Sequence, residues 1–140
     1  MTTVISPMAP VQAAVLQLLT ADATLDALIT GVYDYLPEET PFPYVMVGEA
    51  TESPVNAHDR YGRHTVVTLH VWSQYRGYAQ ALRIGGRVTA LLDHQPLTVA
   101  GLDHVVTRYE FSQTLTDPEA PGNIRHVVLR YRVVTQQPPA

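Results

Sequence analysis

One stretch of this sequence leaves few folding options open. Residues 63–92 read RHTVVTLHVWSQYRGYAQALRIGGRVTALL. Thr65, Val67, Leu69 and Val71 fall on one side of the first half, and His64, Val66, Thr68, His70 and Trp72 on the other. Period-two alternation in a β-branched run predicts a strand. The first side is apolar enough to face a core. The second is mixed and suits water or a partner. Gly77 breaks the pattern. From Tyr78 the apolar positions are Tyr78, Ala81, Leu82, Ile84, Val88, Leu91 and Leu92, the spacing of an amphipathic helix that Pro96 stops. Gly85-Gly86 sits in mid-helix, where each glycine costs ~1 kcal/mol against alanine. Close packing of that face on a neighbouring backbone would explain the cost.

The rest of the chain reads as material added to this unit. Residues 1–9 are expected to form a loose arm. Pro10 suits a first helical turn, and Val11, Val15, Leu18 and Leu19 form its stripe. Asp22 or Thr24 is a candidate N-cap for a short second helix over Leu25, Leu28 and Ile29, ended by Gly31. A short extended piece, Val32–Tyr35, leads into a rigid connector from Pro37 to Pro43. Tyr44–Ala50 is a strand, and Thr51–Gly62 a polar loop. Leu97–Val99 is read as a brief strand turned by Ala100-Gly101. A longer strand, His104–Ser112, has Val105, Thr107, Tyr109 and Phe111 on one face and His104, Val106, Arg108 and Glu110 on the other. Turn chemistry fills Thr114–Asn123. The last strand, Ile124–Thr135, has Val127, Leu129, Tyr131 and Val133 on its apolar face, and 136–140 reads as a flexible tail.

Helices followed by strands, one helix and more strands predict an α+β fold, a mainly antiparallel sheet with helices packed on one face. A chain of 140 residues fits a single domain over 1–140. The helices should cover Val67, Leu69, Val71, Tyr109, Phe111, Leu129 and Tyr131. The opposite face would carry His70, Trp72, Arg108, Glu110, Arg130 and Arg132.

Composition narrows function by exclusion. With no cysteine, disulfides and thiolate metal sites drop out, and intracellular synthesis is expected. No apolar run approaches ~20 residues, so no membrane-spanning helix is expected. The first residues lack the basic start of a signal peptide. The formal charge is −4, whereas a protein that grips DNA phosphates usually carries a positive excess. Six histidines invite a metal reading, but His64 and His70 lie ~20 Å apart at strand rise and no helical His pair occurs. No nucleophile elbow, phosphate loop or convergent polar set suggests catalysis. No cofactor, metal or catalytic residue is therefore assigned. The remaining candidates are interface residues. Tryptophan, tyrosine and arginine are enriched at binding hot spots, which singles out Trp72, with His70, Arg108, Glu110, Arg130 and Arg132 on the same face, for a subunit or partner interface, and Asp59, Arg60 and Asp117 from the loops are added to it. Arg130 and Arg132 would pair with acids across subunits, Glu49 or Glu110; the bland alternative is a solvated edge. Trp72 could equally be covered by a loop or helix of its own subunit.

The order of these signals resembles the bacteriophage tail terminator family, also called tail completion or head–tail joining proteins, of long-tailed phages, prophages and gene transfer agents. The matching parts are ADATLDALITGVYDYLP, TPFPYVMVGEA, the 63–92 stretch with its continuation DHQPLTVAGL, and RHVVLRYRVV, which together span most of residues 10–135. The resemblance implies a structural virion protein made in the host cytoplasm. Such proteins form a hexameric ring at the head-proximal end of the tail. The ring stops tube polymerisation, meets the major tail tube protein and the head-side connector, and lets DNA pass without specific binding. It implies no catalytic residues and no membrane. Gly85-Gly86 and the long 112–123 segment depart from the family's pattern. A connector or stopper of the same particle, a contractile injection system component, and a small α+β ligand-binding or enzymatic domain are the alternatives. A deep pocket lined by several of His64, His70, His104 and Arg108 would favour the last.

Overall fold

The computed structural model describes residues 3–116 and 123–139. Its centre is strand β3, Gly62–Gln74, in which Thr65, Val67, Leu69 and Val71 are buried while His64, Val66, His70 and Trp72 are partly exposed. Before it come helix α1 (Met8–Ala21), the single turn α2 (Ala23–Asp26), the two-residue strand β1 (Val32–Tyr33) and β2 (Tyr44–Pro54). After it come helix α3 (Ala79–Leu92), β4 (Asp103–Leu115) and β5 (Ile124–Gln136). The fold is α+β, one five-stranded sheet in the order β1-β2-β3-β5-β4. Only the β1–β2 pair is parallel. The last strand in sequence is thus central in space, which is why Val127, Leu129, Tyr131 and Val133 are buried.

Helices α1 and α3 cover one face. Val11, Val15 and Leu19 from α1 and Ala81, Ile84, Val88 and Leu92 from α3 join Val45, Val47, Val67, Leu69, Val71, Leu129 and Tyr131 in one core. Asp22 locks the helical layer. Its carboxylate accepts from the Leu25 amide at 2.8 Å, capping α2, and takes a bidentate pair from Arg87 of α3 at 2.9 and 2.7 Å. The Arg87 guanidinium holds the Asp22 carboxyl below its usual range. At the other end of α3, the Asp93 side chain accepts from the Tyr109 amide at 2.9 Å, and the His94 amide donates to the Thr107 carbonyl at 2.7 Å. These bonds cover part of the outer edge of β4, which would otherwise offer unpaired backbone to another strand. The residues expected to form a loose arm make specific contacts: Gln137 accepts from the Ile5 amide at 2.9 Å and donates to the Thr3 carbonyl at 2.7 Å.

Several boundaries differ from the sequence reading, for identifiable reasons. The 51–54 segment is strand, not loop, because it pairs with 63–66 of β3. Tertiary pairing there outweighs weak local propensity. The second helix stops at Asp26, well short of Gly31. Leu97–Val99 forms no strand; its alternating side chains Leu97 and Val99 plug the core while the backbone turns through a Leu102 N–H to Val99 carbonyl bond. In β4 the register slips between His104 and Val106 and again between Tyr109 and Phe111. Each bulge inverts the alternation. Val105 is therefore 51% exposed, and Phe111 pairs with Arg130 on the outer face instead of entering the core. The same slips carry His104 to the helix side, where its ring bonds the Thr107 hydroxyl. Tyr109 does face the helices, yet is 41% exposed at the rim of an open depression that it shares with Leu82, Gly85, Gly86 and Thr89 of α3.

Leu82 is likewise exposed, and Gly85 takes the inward position. A Cβ at Gly85 would meet the Leu129 side chain at 3.5 Å, ordinary contact, and one at Gly86 would meet nothing within 4 Å. No backbone approaches the pair closely, so the sequence-based explanation for it does not hold. Gly86→Ala should accordingly raise unfolding free energy by ~1 kcal/mol, the helix-propensity difference alone. Chemical denaturation of both proteins checks this, and a destabilised variant would mean an unseen neighbour at Gly86.

Candidate interaction surface

No helix covers the second face of the sheet among the described residues. The β3–β5 register places Trp72 opposite His126, His70 opposite Val128, Thr68 opposite Arg130 and Val66 opposite Arg132. Directly opposed antiparallel residues share a face, so side chains more than fifty positions apart in sequence become neighbours. The Trp72 indole stacks on the His126 ring at 3.9 Å between centroids and 8° between planes. His126 Nε2 lies 2.7 Å from His70 Nδ1, and His70 Nε2 lies 3.0 Å from a Glu49 carboxylate oxygen. With both rings neutral, only one proton arrangement satisfies both bonds. His126 Nε2–H donates to His70, and His70 Nε2–H donates to Glu49.

This row needs two local features of β2. Its pairing with β3 slips between Val47 and Ala50, which lets Glu49 reach His70. Gly48 leaves room for the ring, since a Cβ there would lie 2.7 Å from His70 Cδ2 and Nε2. Burial, with the nearby His70, lowers the His126 pKa to about 4, and Glu49 opposes the shift only weakly. The row ends on an indole rather than a nucleophile, so it organises a surface and does not amount to a catalytic relay.

The β4–β5 half of the face is tiled in the same way. Arg132 donates to Glu110 at 2.9 Å, and the Arg130 guanidinium lies 4.7 Å over the Phe111 ring. These side chains screen the sheet well enough that Thr68 and Val128 are buried beneath them without a helix. A shallow open depression of about 370 Å³ lies beside them, lined by His64, Arg108, Glu110, Arg132 and Val134 among others. It holds His64 and Arg108 but neither His70 nor His104, so it is not the deep polar pocket a ligand-binding reading called for. No group of three metal-ligating side chains occurs among the described residues.

The structure thus gathers His70, Trp72, Arg108, Glu110, Arg130 and Arg132 on one surface. Of the two arginines expected to pair with acids across subunits, Arg132 is held within the chain by Glu110 and Arg130 lies over the Phe111 ring, while Glu49 is hydrogen-bonded to His70. Among the described residues Trp72 is covered by neither loop nor helix but by His126 on the adjacent strand. Arg60 is tied to Asp103 at 3.0 Å, away from this row, and Asp59 is exposed in the 55–61 loop. Asp117 lies outside the described residues. His126, Glu49 and Phe111 were missed as site residues. Alternation put His126 on the correct face, but nothing local pairs position 126 with position 72.

Residues 13–136 match the sequence profile of the family described as tail completion protein gp17. The tail completion protein gp17 of Bacillus phage SPP1 is 26% identical over 121 residues, spanning 86% of this chain and 88% of that protein. Its solved structure superimposes with a TM-score of 0.61 at 25% identity, covering 90% of each chain. A chain from the virion of a native gene transfer agent particle superimposes with a TM-score of 0.83 at 24% identity, covering 95% of this chain and 99% of that one. No described helix is long and apolar enough to cross a membrane.

The His126 environment sets a pH signature. Its folded pKa of about 4 lies below the ordinary 6.5, so between those values the unfolded chain binds a proton that the folded chain refuses. Its contribution is full above the ordinary value and is lost as pH falls towards the folded one. Discounted for solvent screening, the loss should be on the order of 1–2 kcal/mol. Urea unfolding at pH 7 and pH 4.5 should show a smaller drop for His126→Phe, which keeps the stack, than for the parent chain. Equal drops would remove His126 as the cause.

Proposed function

This chain belongs to the tail completion protein gp17 family, and on that footing we propose that it closes the head-proximal end of a phage-type tail as a ring of identical subunits. It is a structural tail protein of a phage or gene-transfer-agent particle, not an enzyme. In the proposed role six copies cap the tube, stop its polymerisation and present a surface to the head-side connector. DNA passes through the hole. A lumen built from a chain of net charge −4 would not hold the phosphate backbone by counterion release.

The observation that carries this reading is the uncovered sheet face. Trp72, His126 and Phe111, partly exposed, and Arg130, exposed, tile it with flat, weakly hydrated surfaces in the free chain. Aromatic and arginine side chains at the centre of such a patch are the usual anchors of protein–protein contacts. The gene transfer agent virion supports the reading, because a chain of this fold is a component of that particle. We therefore place the particle contacts of this subunit on the His70–Trp72–His126 row and its arginine flank.

Loss of the protein from producing cells should give overlong or unjoined tails, seen by electron microscopy. Tails of normal length attached to leaking heads would instead indicate a stopper on the portal side. Within the chain, Trp72→Ala should leave a folded subunit that no longer enters tails, with association weakened about thirtyfold for a hot-spot loss of roughly 2 kcal/mol. A variant that fails to fold would place Trp72 in the core and overturn the assignment of this face.

A further inference from the structure

A second surface lies on the opposite side of the molecule, in the helical layer. Between α2 and the start of α3 runs an open groove of about 390 Å³, lined by Leu28, Tyr75, Ala79, Gln80, Arg83 and Ile84 among others. Its floor is apolar: Ile84 is buried and Leu28 packs against the core. Its one cationic lining residue is Arg83, which is exposed and has no hydrogen bond or ion pair among the described residues, as is true of the neighbouring Arg76 side chain. Arg60, Arg63, Arg87 and Arg132, by contrast, are all paired within the subunit.

The chain also carries a matching projection. Beyond the edge strand β1 the segment Asp34-Tyr35-Leu36-Pro37-Glu38-Glu39 is exposed at every position but Leu36. Tyr35 is 78% exposed, the highest value among the exposed large hydrophobic residues. Asp34, Glu38 and Glu39 are exposed and have no partners among the described residues. The projection is braced rather than loose. Thr30 donates from its hydroxyl to the Pro41 carbonyl at 2.9 Å and from its amide to the Pro43 carbonyl at 2.8 Å, and the Thr40 hydroxyl donates to the Pro37 carbonyl at 2.6 Å. These bonds, with prolines at 37, 41 and 43, brace the segment that carries Tyr35, and Tyr35 is not among the residues that line the groove of its own subunit. A preorganised aromatic tip loses little entropy on docking.

We propose that the 34–39 projection of one copy docks into the α2–α3 groove of the next, with Tyr35 on the apolar floor and its flanking carboxylates against Arg83 and Arg76. Projection and groove are different patches, as a head-to-tail ring contact demands. Their charges are opposite, so they complement one another between copies while like patches repel. The contact leaves the open sheet face free for the tube and the connector. It rests on the reading that copies of this chain form a ring, and adds which surfaces close it.

Two charge-reversed chains test the contact. One carries Arg76→Glu and Arg83→Glu, so its groove and projection are both acidic. The other carries Glu38→Arg and Glu39→Arg, so both are basic. All four positions are exposed, and circular dichroism establishes that each variant folds. Native mass spectrometry in the presence of assembled tube protein reads ring formation. The expected result is that neither variant forms rings alone while an equimolar mixture does, because each acidic groove then meets a basic projection and each basic groove an acidic one. Rings from either variant alone, at parental yield, would overturn the contact and leave the ring reading intact. A mixture that stays monomeric would also overturn it. A parent chain that never assembles on tubes would sink both readings.

Discussion

The pairing of β3 with β5 is the constraint on which the rest depends. It runs without a slip from Gly62↔Gln136 to Gln74↔Ile124. Both strands alternate strictly, so this one register sets both faces at once. Thr65, Val67, Leu69 and Val71 meet Val133, Tyr131, Leu129 and Val127 under the helices, and Val66, His70 and Trp72 meet Arg132, Val128 and His126 outside. A slip of β3 by one residue would drive His70 and Trp72 into the core and expose Leu69 and Val71. The cost of burying those polar groups without partners is what keeps the register unique.

Irregularity is confined to the flanking strands, and there it builds the surface. Glu49 reaches His70 because β2 slips beside Gly48. Glu110 and Phe111 reach Arg132 and Arg130 because β4 slips between Tyr109 and Phe111. In both places a bulge brings an acid or a ring to a side chain that a regular ladder would have left in water. A sheet with one covered face must either stay polar on the other or be tiled. Here stacking and ion pairing do the tiling, so the free chain keeps its outer face solvated at the tips and dry at Thr68 and Val128.

Much of this was legible in residue order, within limits that periodicity imposes. Alternation identified β3 and β5, helical spacing identified α1 and α3, and Asp22 was a candidate cap because its side chain suits the joint. What alternation cannot carry is a change of phase. One extra residue at each β4 bulge reassigned Val105 and Phe111, and one slip in β2 hid the role of Glu49. The 51–54 segment looks like loop because its residues are polar, but its conformation comes from pairing with β3. The surface followed the same rule. Trp72 and His70 were readable because they lie on the regular strand. His126 as their partner was not, since strand order β3-β5-β4 is a property of the whole fold.

Charge distribution bears on how the proposed ring contact would behave between free copies. The ion pairs Asp22–Arg87, Glu52–Arg63, Asp103–Arg60 and Glu110–Arg132 neutralise one another inside the subunit. The excess that gives the chain its net −4 therefore sits on acids outside these pairs, among them Asp34, Glu38 and Glu39 on the projection. Free subunits carry like net charge and repel weakly over a Debye length of about 8 Å at physiological ionic strength. At close range, the proposed head-to-tail contact is the orientation that sets the acidic projection against the basic groove. A single exposed ion pair is worth little, at most about 1 kcal/mol. In the proposed ring, closure multiplies each weak contact by the number of subunits and adds no new ordering cost for a braced loop. With the proposed contact, copies would stay dispersed on their own and assemble where another surface gathers them, which is the behaviour that the proposed capping of finished tubes requires.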